Sequence, residues 1–296
     1  MWTGMNLCTA ILPQFSFDEV LEIATTSGFK GIELRVNDDH HIALDDLLTS
    51  GQFLRRRIQH IGLDVPVLTS YLPMEDDESV DRLIRVAQLM EVPKARIVLP
   101  RGCHAAVVKR AHINEIIPSY DASQDPQPLM GALRRKLRIL ERKAFRAGVQ
   151  LLLELHWGTV MSSFSGAYAL VQDLDPESIG ITFDPANMMV EGKEDWEFGI
   201  NLIRPYLANV HVKNMRWKQT KEDWAWEWTG LTQGMVDWWE LVSLLQGIGY
   251  GGDYAMEDFL TPRTDKEAAI HHLTEARQEF GAICIDCGDH DHRVAN

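Results

Sequence analysis

Short apolar runs alternate with longer amphipathic stretches about eight times along the chain. The short runs are typical of buried strands, and the amphipathic stretches are typical of helices with one apolar face. No linker rich in Gly, Ser or Pro divides them, so the pattern predicts an α/β fold, a single (β/α)8 TIM barrel. The predicted strands are Met5–Ala10, Gly31–Val36, Asp64–Thr69, Ala95–Leu99, Val149–Leu155, Ile179–Asp184, Asn209–Val212 and Tyr254–Asp258.

The first predicted helix has local signals at both ends. Ser16 can cap its N-terminus, Glu19 completes a capping box, and Gly28 suits its C-terminal turn. Glycine-containing turns also precede several later strands, where a helix must stop and lead back into the barrel. We assign residues 1–281 to the barrel and residues 282–296 to a C-terminal tail.

Length, composition and charge agree with one soluble barrel that acts on small molecules. The chain has 296 residues, and a (β/α)8 barrel needs about 250. No apolar run approaches the roughly 18 residues of a membrane span, and the N-terminus lacks the features of a secretory signal. We therefore expect a cytoplasmic protein with no membrane partner. The formal net charge of −14 argues against nucleic acid as a partner.

The cysteines near the C-terminus leave two interpretations open. Cys284 and Cys287 are spaced as Cys-x-x-Cys, and His290 and His292 follow them. These four side chains are of the types that bind a soft metal such as zinc. A frayed, polar C-terminal tail is the alternative.

The two longest predicted connections follow strands rather than precede them. Residues 100–127 follow the fourth strand and residues 213–235 follow the seventh. In a (β/α)8 barrel such loops gather at the C-terminal face, where active sites are built. In the second loop, the alternation of Trp224, Trp226 and Trp228 favours an extended segment that covers a sugar site, packs on the loop or contacts another subunit of a homo-oligomer.

Four acidic or imidazole residues end four successive apolar runs in the C-terminal half. They are Glu154, Asp184, His211 and Glu257. A single such carboxylate is often a solvated strand end, but four of these side chains at the same relative place predict one metal site. Three carboxylates and one imidazole suit Mn²⁺ or Mg²⁺, with Co²⁺ or Zn²⁺ as alternatives.

These residues resemble those of the xylose-isomerase-like barrels of the sugar phosphate isomerase and epimerase superfamily. The resemblance spans roughly residues 5–281 and is carried by Glu154, Glu257 and the segments 183–188 and 211–216. It implies that a divalent metal holds a substrate carbonyl and hydroxyl. It also implies that Glu154 and Glu257 exchange a proton with carbon from opposite sides of the substrate.

The resemblance and the strand pattern add further candidates for substrate binding. Arg216 lies where members of the superfamily carry an arginine that binds substrate oxygens, and strand alternation puts His156 on the same face as Glu154. Asn187 stands where epimerases of the superfamily carry a histidine; an amide can bind a hydroxyl but cannot shuttle protons. Val160 stands where ketose 3-epimerases carry a glutamate. These two departures weaken an assignment as a ketose 3-epimerase in the strict sense.

Three more residues lie near the predicted strand ends. Glu33, near the end of the second strand, is predicted to face the barrel mouth, where it orients the substrate or pairs with Arg35. Trp157 and Trp217 lie close to the ligand-bearing strand ends and are candidates to contact the substrate.

The leading hypothesis is a metal-dependent isomerase or epimerase of a sugar or keto-sugar. It would abstract a proton from the carbon next to a carbonyl, which would form a metal-bound enediolate. A lyase or dehydratase that uses the same site on a keto-inositol or a 3-keto-glycoside is the alternative, and Asn187 keeps it open. A non-catalytic sugar-binding protein and an abasic-site endonuclease are weaker alternatives, since an endonuclease would require a basic groove.

Overall fold

Eight parallel strands close a barrel in the computed structural model, which describes residues 4–37, 41–100, 126–221 and 223–294. The barrel strands are β1 (Asn6–Cys8), β2 (Gly31–Arg35), β3 (Asp64–Pro73), β4 (Lys94–Val98), β5 (Gln150–Glu154), β6 (Ile179–Phe183), β7 (Leu207–Val212) and β10 (Asp253–Met256); β8 (Asn214–Gln219) and β9 (Trp224–Thr229) pair separately. Around the barrel the order is β1-β10-β7-β6-β5-β4-β3-β2.

Amphipathic helices alternate with these strands along the chain. The α-helices within the described ranges are α1 (Phe17–Thr26), α2 (Leu44–His60), α3 (Asp77–Leu89), α4 (Pro126–Ala147), α5 (Phe164–Val171), α6 (Pro185–Glu191), α7 (Trp196–Ile203), α8 (Trp238–Gly247) and α9 (Lys266–Val294). None of them combines the length and the apolar content that crossing a bilayer requires.

The predicted (β/α)8 barrel is confirmed, and every predicted strand has a counterpart in it. Boundaries differ by a few residues, most of all in β3, which continues beyond Thr69 to Pro73. The capping box of α1 is also confirmed, because Ser16 and Glu19 bind each other's backbone N–H with their side chains. Gly28 follows the helix with a φ of 77°, a left-handed conformation that glycine adopts without strain.

The apolar core has two parts. The larger part includes strand residues such as Leu151 and Leu153 of β5 together with the apolar faces of the helices. Val67, Leu152 and Ala208 form a separate, smaller cluster. Leu152 lies two residues before Glu154 and therefore points to the same side of β5. This small apolar layer thus lies inside the barrel, on the side of the strands that carries the predicted ligands.

The connection predicted for residues 213–235 contains the antiparallel β8–β9 hairpin. The predicted extended segment with three tryptophans is confirmed as β9. Trp224 at its start is 58% exposed, whereas Trp226 is buried and packs on Trp228 with ring centroids 4.8 Å apart. Trp226 also packs on Trp157 at 5.8 Å. The hairpin therefore stands against the segment that follows β5.

Asn214 ties the two ends of this hairpin segment together. Its Nδ2 donates to the carbonyl oxygens of Leu231 and Val236 at 2.6 and 2.8 Å, and its Oδ1 accepts from the N–H of Val236 at 3.0 Å. Asn214 is 1% exposed. One buried side chain thus closes the segment between β7 and α8 at its base.

The last helix, α9, continues past residue 281, where the predicted barrel ends and the predicted C-terminal tail begins. Cys284 and Cys287 are buried in it, and Cys287 Sγ donates to the carbonyl oxygen of Trp239 at 3.5 Å. The side chains at positions 290 and 292, which the predicted soft-metal site requires, lie outside the described side chains. Residues 101–125, most of the connection predicted after the fourth strand, lie outside the described residues.

Gly199 in α7 allows this helix to approach an aromatic cluster closely. Phe164, Phe183 and Trp196 pack there with ring centroids 5.2 to 6.0 Å apart. A Cβ atom at position 199 would overlap the ring of Phe164, whereas a Cβ at Gly247, in α8, would meet nothing within 4 Å. Both glycines have helical backbone conformation, so they differ mainly in the space that surrounds the position of a Cβ atom.

We expect Gly199→Ala to destabilise the protein by about 1–3 kcal/mol through overpacking. Gly247→Ala is the matched control and should stabilise it by roughly 0.5–1 kcal/mol, because alanine has the higher helix propensity. Urea unfolding of both variants measures the difference in the free energy of unfolding. Equal effects of the two substitutions would show that contact with Phe164 does not limit this helix.

Candidate functional site

The four predicted ligands come together at the C-terminal mouth of the barrel. Glu154 ends β5, His211 lies in β7, and Asp184 and Glu257 directly follow β6 and β10. All four are buried, and one ligand atom of each lies within 4.8 Å of the others. Their strands β5, β6, β7 and β10 are consecutive neighbours, so the cluster occupies one side of the mouth.

His211 lies at the centre of the cluster. Its Nδ1 is 3.1 Å from Glu154 Oε1 and 3.5 Å from both Asp184 Oδ2 and Glu257 Oε2. On the other side of the ring, Nε2 is 3.0 Å from Glu33 Oε1. Burial lowers the pKa of His211, but the surrounding carboxylates, first of all Glu33, raise it well above its usual value.

Asp184 is held by the start of α6. It is the N-cap residue, and its Oδ1 accepts the backbone N–H of Asn187 at 2.9 Å. The Asn187 side chain donates through Nδ2 to Asp184 Oδ2 at 2.9 Å and to Glu154 Oε1 at 3.2 Å. Asn187 Oδ1 is buried and has no hydrogen-bond partner within the described ranges. The amide thus braces two of the predicted ligands and presents a carbonyl oxygen that a hydroxyl or a water can use.

Arg96 in β4 supports Glu154 and was not identified from the sequence. Its Nη1 pairs with Glu154 Oε2, while Nε and Nη2 donate to the carbonyl oxygen of Ser70 at 3.3 and 3.2 Å. Burial raises the pKa of Glu154, but the Arg96 guanidinium and His211 hold it well below its usual value. Glu154 is therefore ionised at neutral pH although it is buried.

Lys213, also missed as a site residue, supports the opposite end of the cluster. Its Nζ is 2.7 Å from Asp184 Oδ2 and pairs with Glu257 Oε2. The ammonium group also lies 5.1 Å from the ring centroid of Trp228 and 5.2 Å from that of Phe259. Burial raises the pKa of Glu257, but Lys213 and His211 hold it below its usual value.

The charges of the site fit a divalent cation. The site contains four buried carboxylates and two buried cations, which leave a surplus of two negative charges when His211 is neutral. The carboxylates are Glu33, Glu154, Asp184 and Glu257, and the cations are Arg96 and Lys213. The oxygen-rich ligand set with one imidazole nitrogen is compatible with Mg²⁺, Mn²⁺ or Zn²⁺. The buried four-residue cluster can therefore hold a divalent metal, whose identity the ligands alone do not determine.

A pocket opens beside Glu154 at the ends of β3, β4 and β5. It is lined by Tyr71, Arg96, Ile97, Val98, Leu99, Glu154, His156 and Thr159. His156 Nδ1 is 2.7 Å from the carbonyl oxygen of Trp157, so Nδ1 carries the hydrogen in this contact. Burial lowers the pKa of His156, and in the neutral ring Nε2 is a hydrogen-bond acceptor. Both His156 and Glu154 line this pocket, although β5 ends at Glu154 and strand alternation does not extend to His156.

The other predicted substrate-binding residues have different surroundings. Trp157 is buried against Trp226, and Trp217 in β8 donates through Nε1 to the carbonyl oxygen of Met189 at 3.1 Å. Arg216 is 53% exposed and pairs with Glu227 across the hairpin at 2.8 Å. Its predicted contact with a substrate stays a prediction. Glu33, predicted to face the mouth, instead contacts His211 from within the barrel, and a direct substrate contact for it also stays a prediction.

A simple signal was available for both missed cations. Lys213 follows His211 by two residues, and strand alternation puts them on one side of the chain. Arg96 interrupts an apolar strand between Ala95 and Ile97. A charged residue at such a position is rarely buried unless it is paired, so it predicts an acidic partner inside the barrel.

A closed (β/α)8 barrel with charged side chains gathered at its C-terminal mouth has the architecture of a TIM-barrel enzyme. The sequence profile described as "Xylose isomerase-like TIM barrel" matches residues 21–276, and the chain belongs to this family. No curated protein sequence matches the chain.

Solved structures similar to this fold share little sequence with it. An L-ribulose 3-epimerase is 18% identical, with a TM-score of 0.70 over 100% of this chain and 99% of its own. A xylose isomerase-like TIM barrel protein from Mycobacterium smegmatis, in complex with magnesium, is 17% identical, with a TM-score of 0.70 over 96% and 100%. The probable 3-DHS dehydratase AsbF from Bacillus anthracis is 17% identical, with a TM-score of 0.68 over 92% and 97%. At these identities the likeness establishes the fold.

We expect a divalent metal to stabilise the protein and a chelator to remove that gain. At a free metal concentration of about 100 times Kd, the gain should be about 2.7 kcal/mol. Thermal unfolding with EDTA or with Mn²⁺ measures it as a shift in Tm. Asp184→Asn should abolish most of the shift. Asp258→Asn, a buried neighbour that pairs with His272, should retain it, and loss of the shift in both variants would contradict a specific site.

Metal binding should also depend on pH. Because the pKa of His211 is raised, its proton competes with the metal at neutral pH, and the affinity for Mn²⁺ should increase by up to about tenfold per pH unit between pH 6 and 8. Without metal, the free energy of unfolding should change with pH in the opposite direction. The stabilisation from charged His211 is full below about pH 6.5 and is lost as pH rises through the folded-state pKa. Calorimetry in buffers of different ionisation enthalpy should detect proton release; an affinity independent of pH would contradict this.

Proposed function

We propose that this protein is a divalent-metal-dependent isomerase or epimerase of a sugar or keto-sugar, which moves a proton next to a carbonyl. Mn²⁺ or Mg²⁺ is the proposed metal, with Co²⁺ or Zn²⁺ as alternatives, and Glu154, Asp184, His211 and Glu257 are the proposed ligands. The family membership and the similarity to an L-ribulose 3-epimerase support this class of reaction.

One observation carries the proposal. Glu154 and Glu257 lie on the two outer strands of the four that bear the cluster, with Asp184 and His211 between them. Each of the two glutamates is buried and paired with its own cation, Arg96 or Lys213. This arrangement gives a substrate held between them two separate carboxylates, one to remove a proton from carbon and the other to return one.

The side chains around the glutamates then have distinct tasks. A bound divalent metal would polarise the substrate carbonyl and so make the adjacent C–H more acidic. Arg96 and Lys213 keep Glu154 and Glu257 ionised, which a carboxylate needs in order to accept a proton. The ammonium of Lys213 can in addition donate a hydrogen bond to a substrate oxygen that gains negative charge.

Substrate hydroxyls are natural partners for two acceptors in the site. Asn187 Oδ1 and His156 Nε2 can each accept a hydrogen bond from a hydroxyl. The stacked rings of Trp228 and Phe259, 5.1 Å apart, offer an apolar surface near Lys213. Aromatic faces of this kind pack on the C–H faces of sugars and exclude water. We therefore propose a neutral polyhydroxylated carbonyl compound as the substrate.

A lyase or dehydratase acting on a keto-inositol or a 3-keto-glycoside is the second candidate. It begins with the same proton removal, but the C–O bond to a β-substituent then breaks, and the departing group takes up a proton and leaves as water or an alcohol instead of a proton returning to carbon. Asn187 keeps this candidate open, because it stands where epimerases of the superfamily carry a histidine and an amide cannot shuttle protons. One of the proteins with a similar fold is described as a probable 3-DHS dehydratase, which supports this candidate. A cytoplasmic location and a homo-oligomer stay predictions. A non-catalytic sugar-binding role and an abasic-site endonuclease stay the weaker alternatives.

We expect the Mn²⁺-loaded protein to catalyse incorporation of deuterium from D₂O next to the carbonyl of its substrate. Keto-sugars, aldoses and keto-inositols form the panel, and NMR follows both C–D exchange and new products. Glu257→Gln should slow the exchange by about 100-fold or more, because it removes one acid–base group. The product distinguishes an isomerase or epimerase from a lyase.

Glu240→Gln is the matched control, since it makes the same chemical change at an exposed position in α8. It should leave the exchange rate unchanged. If the metal-loaded protein exchanges no C–H of any compound in the panel, the proposed reaction is wrong and a binding role gains support.

A further inference from the structure

Glu33 lies behind the cluster, inside the barrel. It sits in the middle of β2, is 1% exposed, and its carboxylate is held by side chains from two other strands. Thr69 Oγ1 donates to Oε1, Asn209 Nδ2 donates to Oε2 at 2.8 Å, and His211 Nε2 lies 3.0 Å from Oε1. Both carboxylate oxygens are therefore engaged from within the barrel.

The contact with Glu33 distinguishes the two nitrogens of the His211 ring. An ionised carboxylate only accepts hydrogen bonds, so Nε2 carries the hydrogen that lies between the two residues. Thr69 and Asn209 donate to the two oxygens of the same carboxylate, so both oxygens act as acceptors. Nδ1 is then the nitrogen that faces Glu154 and the other carboxylates of the cluster.

The orientation of Asn209 supports an ionised Glu33. Asn209 is fully buried and donates its amide hydrogen to Glu33, while its own Oδ1 has no hydrogen-bond partner in the described part of the chain. A buried carbonyl oxygen without a partner costs free energy. A protonated Glu33 could donate to that oxygen if the amide turned, so the observed orientation matches a carboxylate that needs donors.

We propose that Glu33 is the positioning residue of the metal centre and that it makes Nδ1 of His211 the metal-binding nitrogen. A carboxylate behind a coordinating imidazole fixes the orientation of the ring and increases the basicity of the other nitrogen, and both effects strengthen metal binding. This inference rests on the metal site of the proposed function but is independent of the reaction that the site catalyses. It gives Glu33 a different role from the substrate contact predicted from the sequence.

The first measurement uses the unaltered protein. In the ¹⁵N-histidine-labelled, Zn²⁺-loaded protein, NMR correlations of the His211 ring show which nitrogen binds the metal and which carries hydrogen. We expect a metal-bound Nδ1 and a protonated Nε2. A Zn²⁺ ion bound to Nε2 would overturn the proposal, and this result does not depend on the folding of any variant.

The second measurement compares variants by calorimetric titration with Mn²⁺ and by the visible absorption spectrum of the Co²⁺-loaded protein. Glu33→Gln keeps the shape of the side chain but loses its charge, and we expect Kd for Mn²⁺ to increase about 10- to 100-fold, with an altered Co²⁺ spectrum. Thr69→Val is the matched control, because it removes a different hydrogen bond to the same Oε1 atom without touching His211. It should change Kd by less than about threefold.

The outcomes separate this inference from the proposed function. If Glu33→Gln is folded and binds Mn²⁺ as tightly as the unaltered protein, with the same Co²⁺ spectrum, Glu33 is a packing residue and the inference is wrong. If Thr69→Val weakens binding as much as Glu33→Gln, general disruption of the barrel interior explains the loss, and the inference is again wrong. If Glu33→Gln weakens Mn²⁺ binding and Thr69→Val does not, the inference is supported. This holds even if no carbonyl compound is turned over, because the absence of turnover would count only against the proposed reaction.

Discussion

The site depends on keeping several buried carboxylates ionised within a few ångströms of one another. Burial alone would protonate Glu154 and Glu257, because a charged carboxylate loses its hydration inside a protein. Arg96 and Lys213 prevent this, and each cation is itself fixed, one by a strand carbonyl and the other against two aromatic rings. Removing either cation would leave an uncompensated buried charge, which is far more costly than losing a surface ion pair.

The sequence predicted the barrel and the four-residue cluster because both follow from short-range patterns. The barrel strands lie in short, largely apolar runs, and each predicted ligand lies near the end of one, so chain order alone indicated their convergence. The role of Glu33 could not be found in this way. Its partners Asn209 and His211 lie on β7, a strand that does not pair with β2 and meets it only across the interior of the closed barrel, and sequence carries no direct record of such contacts. The side chains opposite Arg96 and Lys213 were hidden for the same reason.

The surroundings of the two glutamates are unlike, which no strand pattern indicates. Glu154 borders a pocket to which Tyr71 and His156 contribute polar groups, whereas the cation beside Glu257 lies against Trp228 and Phe259. One side of the site is therefore suited to hydroxyl groups and the other to an apolar face. A ligand with distinct polar and apolar sides would bind in one orientation, and the two carboxylates would then meet different atoms of it.

The hairpin between β7 and α8 has a consequence for how such a protein can diversify. It places Trp228 beside Lys213, yet Asn214 closes its base with hydrogen bonds that involve no metal-ligand candidate. Residues near its tip, such as the exposed Trp224, can be substituted, and the tip can be lengthened or shortened, without moving the strand that carries His211. Natural selection can thus alter which molecules fit above a constant set of charged groups, in one contiguous stretch of the gene.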